Sequence, residues 1–425
     1  MHQLYPYQTI GKKALLANDR FILGDEMGLG KTVQVLMALT PEHLPAVVVC
    51  PASVRMVWAD EVTKWRPELT TDVIETGKHK TKWGSDITIT SYDLFGKVKM
   101  NPPRTVICDE AHYLQNRQAR RTRVVAKASA DRRTWFLTGT PMWSKPKSLY
   151  VLVKLCGAWK GGYQEYAEQF CDAGWKYNPY TGASQWDDSG ASNLGQLNRL
   201  LAPIMLRRMK ADVLKDLPQK TRQIIKVAGG ISDQEKKVDS FDPKSVCDGW
   251  IPPGPIATAI RETAVLKVPA MLEHIKLVLA SEHKVVIFAW NIDVMDMLAG
   301  ALRSFGVVRI DGGVKLKDRW AAVKRFQQHD DTRVFIGQTI AAGTGLTLTA
   351  ASTVIFAQPD WTPANLMQAE DRVHRISQDR KVLVQYLVTK GSIEEAMLSN
   401  VLSKMRIAEQ VLKTKETGFD EYQEE

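Results

Sequence analysis

The sequence predicts an α/β protein built from two tandem parallel-sheet units, and three observations predict it. In the first half, strand-length apolar runs (21–23, 46–50, 87–90, 104–108, 135–137) alternate with segments of helical spacing (33–39, 54–65). A second alternating set follows, with strands at 284–288, 307–310, 333–337 and 353–356 and helices at 292–305 and 316–328. Between the sets lie the Gly229–Gly230 pair and a Pro/Gly cluster at 251–255, which punctuate a boundary and a linker. The expected units are residues 1–228 and 229–425. Alternation of this kind packs helices on both faces of a parallel sheet and places ligands at the strands' C-terminal ends.

Taken in order, the chain opens with LYPYQTIGKKAL (4–15), a Pro-Tyr-Gln entry into a short amphipathic helix. The amide of Gln8 offers one donor and one acceptor side, enough to read an adenine edge, although an exposed helix-start glutamine is the commoner case. The strand at 21–23 runs into GDEMGLGKT (24–32). Glycines let backbone N–H groups converge on phosphate oxygens, and the helix that begins with Lys31 and Thr32 adds its positive end. Lys31 then suits the β and γ phosphates, Thr32 suits Mg²⁺, and Asp25, Met27, Gly28, Leu29 and Gly30 form the cradle. The match to GxxxxGK[ST] is imperfect, because Asp25 stands at the first glycine position.

The strand at 104–108 ends in DEAH (109–112). A carboxylate at such a strand tip, Asp109, can hold Mg²⁺ through its waters, and Glu110 can orient and deprotonate an attacking water. Arg117, Arg120, Arg121, Arg123 and Lys127 follow. Such a run is ordinarily a solvated helix face, with phosphate contact as the alternative. After the strand at 135–137, Thr138, Gly139, Thr140 and Pro141 form a plain turn or a relay of nucleotide state. Residues 157–192, rich in Gly, Trp and Tyr, are expected to form an insertion held by Trp159, Trp175 and Trp186, within a protrusion around 157–204.

In the second half, AAGTGLTL (341–348) is a Gly/Thr-rich turn containing Gly345. In QAEDRVHRISQ (368–378), Arg372 and Arg375 are three apart, which puts both guanidinium groups on one helical face. Planar guanidinium forks suit phosphate oxygens. The stretch 392–415 has apolar spacing (Ile393, Met397, Val401, Met405, Ile407, Val411) and predicts a long helix, followed by a frayed acidic end.

Composition bounds the partners. The 425 residues are 44% hydrophobic and 24% charged, as in soluble globular proteins, and no apolar run is long enough to span a bilayer. No signal peptide is evident, so an intracellular address is expected, cytoplasmic for a bacterial or viral source and nuclear for a eukaryotic one. The five cysteines show no metal-ligand spacing, so neither zinc nor disulfides are expected. A net charge of +10 points weakly to a polyanionic partner.

Four motifs in order, YPYQ, DEMGLGKT, DEAH and LTGTP, together resemble the first motor lobe of Swi/Snf-type ATPases of helicase superfamily 2. Asp25 in the first glycine's place is usual in that group. The resemblance extends through PASVRMVWADEVTKW (51–65), ITSYDLF (89–95), MLRRMKADVLKDLPQK (205–220), AGTGLTLTAASTVI and DWTP to QAEDRVHRISQ, about residues 4 to 415. GASNLGQLNRLLAPIMLRR (190–208) looks nearest the annealing-helicase branch.

The resemblance implies two RecA-like lobes, an insertion after the first, and a C-terminal brace helix. It also implies ATP and Mg²⁺ between the lobes, with Gln368, Arg372 and Arg375 completing the site from the second. A monomeric motor on double-stranded DNA is expected, acting also on DNA-bound proteins. Two alternatives stay open: a strand-separating DNA or RNA helicase, and a non-hydrolysing DNA-binding module.

Overall fold

The apolar runs of the first half pair into one sheet because each is buried on both faces. In the run Ala46–Cys50, Val47 and Val49 join the core on one side while Ala46, Val48 and Cys50 join the other. The computed structural model describes residues 3–100, 102–142, 145–178, 183–238, 254–339 and 346–412. Its strands run in chain order as β1 (Arg20–Leu23), β2 (Ala46–Cys50), β3 (Thr71–Val73), β4 (Ile87–Ser91), β5 (Thr105–Asp109) and β6 (Arg133–Leu137). A hairpin of β7 (Gly174–Asn178) and β8 (Ala183–Asp187) precedes the short β9 (Met205–Leu206). The first sheet is seven-stranded and parallel, in the order β3-β4-β2-β5-β6-β1-β9.

The second sheet has six parallel strands in the order β10-β15-β14-β11-β13-β12. They are β10 (Lys220–Val227), β11 (Val285–Ala289), β12 (Val307–Ile310), β13 (Val334–Gln338), β14 (Thr353–Phe356) and β15 (Val382–Thr389). A boundary at 228/229 cuts this sheet. β10 precedes Gly229 yet pairs along its whole length with β15, Lys220 opposite Val382 and Val227 opposite Thr389. In sheet membership the crossing therefore lies before Lys220.

The helix Gly254–Ser281 was not expected after the Pro/Gly cluster. Its buried positions, Ile260, Ala264, Val268, Met271, Ile275 and Leu279, recur every three or four residues, and Pro269 sits inside it. In the insertion, Trp159 does hold the fold, with its ring 5.6 Å from both Tyr166 and Phe170. Trp175 does not: it is 72% exposed and meets only the edge of its cross-strand partner Trp186 among the described rings. The terminal helix Ile393–Leu412 lies against the helix Leu194–Leu201, so it returns to the first lobe as a brace should. The acidic end after it lies outside the described residues, as does Cys247. Among the described residues, no helix is long and apolar enough to cross a membrane.

Candidate active site between the lobes

Parallel order puts the C-terminal ends of β1, β5 and β6 on one edge, and each carries a motif there. Past β1, Gly28 and Gly30 hold φ of 87° and 74°, a left-handed backbone that glycine adopts without strain. The turn delivers Lys31 and Thr32 to the first two positions of the helix Lys31–Ala38. Lys31 Nζ donates to the cradle's own carbonyls, Asp25 O at 2.8 Å and Glu26 O at 3.4 Å. Burial lowers the pKa of Lys31, opposed by Glu110, Asp25 and Asp109.

The neighbours of the cradle press close. A Cβ added at Gly139, in the turn after β6, would lie 2.3 Å from Met27 Cγ and 3.4 Å from Lys31 Nζ. One added at Gly30 would lie 2.5 Å from Gln8 Nε2. Gln8 is buried against the cradle: its Nε2 donates to Leu29 O at 3.3 Å and its Oε1 accepts from Tyr5 N at 3.0 Å. Asp25 is wholly buried and turns its carboxylate inward to Arg208 and Gln34, so its backbone carbonyl is what meets Lys31.

Asp109 ends β5 and accepts from Trp58 Nε1 at 2.8 Å and from Glu110 N at 2.9 Å. Burial raises its pKa, with the Trp58 hydrogen bond and Lys31 acting against that. Glu110 has φ of 50°, uncommon for a residue with a side chain, which marks the turn as constrained. Burial and then Asp109 push its carboxyl up to about 7, against Lys31 and Arg372. His112, pushed down to about 3 by burial, Lys31 and Arg121, is neutral. Its Nδ1 lies 3.3 Å from Glu110 Oε2 and 3.2 Å from Thr138 Oγ1, joining DEAH to the turn after β6.

The second lobe brings its arginines to the same cleft, but not on a helix. The helix Pro363–Glu370 carries the buried Gln368 and ends before Arg372, and Arg372 and Arg375 follow on turns. The terminal carbonyls need donors, and the side chains supply them: Arg372 Nε to Gln368 O at 3.1 Å, Arg375 Nε to Asp371 O at 2.9 Å. Arg375 Nη1 also donates to Thr347 Oγ1 at 2.8 Å. Burial, then Arg375, pushes Arg372 down to about 9, opposed by Glu110 and Asp371. Gly345 lies outside the described residues.

The segment joining the lobes supplies site residues that the sequence did not single out. Arg207 Nη1 donates to Gly24 O at 2.8 Å and to Gly139 O at 3.0 Å. Lys210 pairs with Asp371, and Lys220 with both Glu370 and Asp371. Arg222 forks onto Glu370, with Nε 2.8 Å from Oε1 and Nη2 2.6 Å from Oε2. Only the basic character of Arg207, Lys210 and Lys220 was visible in MLRRMKADVLKDLPQK, and Arg222 lies two residues beyond it; their partners are 68 to 184 positions away.

The chain matches the SNF2-related domain over residues 11–240 and the helicase conserved C-terminal domain over 267–377. It is 34% identical over 433 residues to the DNA annealing helicase and endonuclease ZRANB3 of Homo sapiens, covering 95% of this chain and 40% of that protein. It is 34% identical over 424 residues to the SWI/SNF-related matrix-associated actin-dependent regulator of chromatin subfamily A-like protein 1 of Xenopus tropicalis, covering 95% and 44%. The chain thus spans less than half the length of these relatives. Among solved structures, the Sulfolobus solfataricus SWI2/SNF2 ATPase core in complex with dsDNA aligns at 22% identity and a TM-score of 0.44, over 97% of this chain and 98% of that one.

Proposed function

This chain belongs to the SNF2-related family, and from that premise we propose that it is an ATP-driven motor that moves along double-stranded DNA, remodelling DNA or DNA–protein complexes. One juxtaposition carries the reading: Glu110 of the first lobe and Arg372 of the second are close enough across the cleft for each to shift the other's pKa. A water-activating carboxylate and a phosphate-gripping guanidinium then serve the same bond, and neither lobe has both.

In this mechanism ATP is the substrate, held between the lobes. Lys31 leaves the cradle carbonyls for the β and γ phosphates, and the backbone N–H groups from Gly28 to Lys31 take the remaining oxygens. Gln8 reads the adenine edge by exchanging the long contact of its Nε2 to Tyr7 Oη, at 3.5 Å, for the base, and Gln368 lines the far wall. Glu110 takes the proton of the attacking water on its carboxylate, while Arg372 and Arg375 donate to phosphate oxygens as charge redistributes.

Thr32 and Asp109 fit a Mg²⁺ ion by the chemistry of their donors, a hydroxyl at the start of the helix and a carboxylate at the strand tip. Asp109 also helps push up the neighbouring Glu110 carboxyl, a repulsion that a divalent cation would relieve. Bound there, the ion would neutralise phosphate charge during transfer. Closing and reopening of the lobes with each turnover advances a monomer along the DNA, chiefly through phosphate contacts.

The test measures ATP turnover against duplex, single-stranded, forked and RNA polymers, with triplex displacement and fork unwinding run side by side. We expect duplex to stimulate most and a third strand to be displaced without melting the duplex beneath. Strand annealing, named for one relative, is the remodelling output to assay first. Robust fork unwinding, with single strands stimulating as well as duplex, would favour a strand-separating helicase instead.

A further inference from the structure

Lys210 lies in the segment joining the lobes, is 2% exposed, and touches both halves of the cleft. Its backbone N–H donates to Glu26 Oε2 of the phosphate cradle at 2.6 Å. Its ammonium lies 2.9 Å from Asp371 Oδ1, donates to His374 O at 2.7 Å, and lies 3.6 Å from Glu26 Oε1. Asp371 and His374 flank Arg372, and Asp371 O in turn accepts from Arg375 Nε. A Cβ added at Gly28 would lie 3.3 Å from Lys210 Cε and 3.8 Å from Arg375 Cγ, so the lysine stem and the second arginine pack on the same glycine. One ammonium therefore ties the turn that bears both arginines to the loop that holds the phosphates.

We infer that Lys210 is a positioning residue for hydrolysis, setting Arg372 and Arg375 at their distance from the phosphate cradle. The inference rests on the ATPase reading above. An ammonium has three N–H donors, and Asp371 and His374 take two at short range, leaving little for a phosphate. Its influence on the reaction therefore passes through the arginines. Lys220, 3.2 Å from Asp371, keeps that carboxylate paired when Lys210 is replaced, so the second lobe retains an anchor there. What is lost is the ammonium's tie between the arginine-bearing turn and the segment that the Lys210 backbone N–H still holds to Glu26.

The experiment is steady-state ATP turnover with saturating duplex DNA, alongside separately measured affinity for a non-hydrolysable ATP analogue. The proteins are the parent, Lys210→Met, Lys210→Arg, Asp371→Asn, Arg375→Ala and the double variants of Arg375→Ala with Lys210→Met and with Asp371→Asn. Lys210→Met is expected to lower kcat about 10²-fold, the cost of misplacing a catalytic group by about 1 Å, with analogue affinity within a few-fold of the parent. Lys210→Arg should recover part of the loss, and the near-isosteric Asp371→Asn should fall in the same direction. The Lys210→Met/Arg375→Ala variant should lose less than the product of the two single losses, since residues acting through one another are non-additive.

Parent-like kcat in Lys210→Met, losses that multiply in the double variant, or weakened analogue binding at parental kcat each overturn the inference. If Lys210→Met does not fold, Asp371→Asn and its double variant decide by the same criterion. A parent without ATP turnover overturns the motor reading and this inference with it; an active parent with multiplying losses overturns the inference alone.

Discussion

Arg208 closes on Asp25 as a fork: Nε lies 2.9 Å from Oδ1, Nη2 reaches Oδ2, and Gln34 Nε2 adds a bond to Oδ2 at 3.0 Å. The residue that breaks the general phosphate-loop pattern is therefore one that anchors the loop to the segment joining the lobes, beside Gly24 and Glu26. Asp25→Gly would bring the sequence nearer to GxxxxGK[ST] and yet remove this anchor. We expect it to destabilise the protein by about 3 kcal/mol, the low end for a broken buried pair, because Tyr7 O and Gln34 Oε1 still accept from Arg208. Denaturant unfolding should show a lower midpoint at unchanged slope. Parental stability would refute the anchoring role.

Glu110→Gln should bind ATP and lose turnover by about 10²–10⁴-fold, as removal of a general base does. The pH dependence follows from the raised pKa. A carboxyl at about 7 is protonated, and useless as a base, below that pH. In the parent, kcat/KM for ATP should fall as pH drops through about 7 and level off above it. Glu110→Gln should lack that limb, and a parental profile in the variant would assign the titration elsewhere.

Arg375→Ala should lower kcat by about 10³-fold or more while leaving nucleotide affinity nearly intact, because its guanidinium acts on the transferred phosphate. Arg372→Ala should lower kcat in the same way. Weaker binding at normal kcat would make Arg375 a ground-state ligand. Stopped-flow binding of a fluorescent nucleotide, paired with turnover, separates the two.

Glu370 is buried, which alone would raise its pKa, but Arg222 and Lys220 outweigh burial and hold it well below the ordinary carboxylate range. A depressed carboxyl contributes stability above its unfolded value of about 4.3, and that stability is lost as pH falls through the folded value. Glu370→Gln should therefore be less stable than the parent at pH 7, by about 3 kcal/mol, with the gap closing below about pH 4. Urea melts across that range read the difference.

The helix Arg120–Ser129 exposes Arg120, Arg123 and Lys127 at one-face spacing, while Arg121 is tied to Tyr113 O at 2.7 Å and Arg117 lies over the Tyr163 ring. If the exposed three follow phosphates, Arg123→Glu with Lys127→Glu should reduce duplex-stimulated turnover and leave DNA-free turnover unchanged. The log–log salt slope of DNA binding should shrink by about 0.9 for each phosphate no longer neutralised. An unchanged slope would return this face to solvent.

The motifs were legible because their chemistry is local. A glycine-rich turn between strand and helix, a carboxylate pair at a strand tip and two arginines three apart each declare a role within about ten residues, and apolar spacing placed most strands to within a residue. The helix Gly254–Ser281 carries the same kind of local period, masked by Pro/Gly neighbours that read as a linker. Other features depend on long-range pairing, which no local period encodes. β10 joins the second sheet because its backbone finds β15, more than 150 residues on. Arg372 and Arg375 sit on turns because their own Nε groups cap the carbonyls that a continuing helix would have used. Asp25, Lys210 and Glu370 stand in recognisable motifs, but nothing in the chain names their partners. Burial gives each of them a partner, because a charge removed from water must be neutralised by whatever the fold brings beside it.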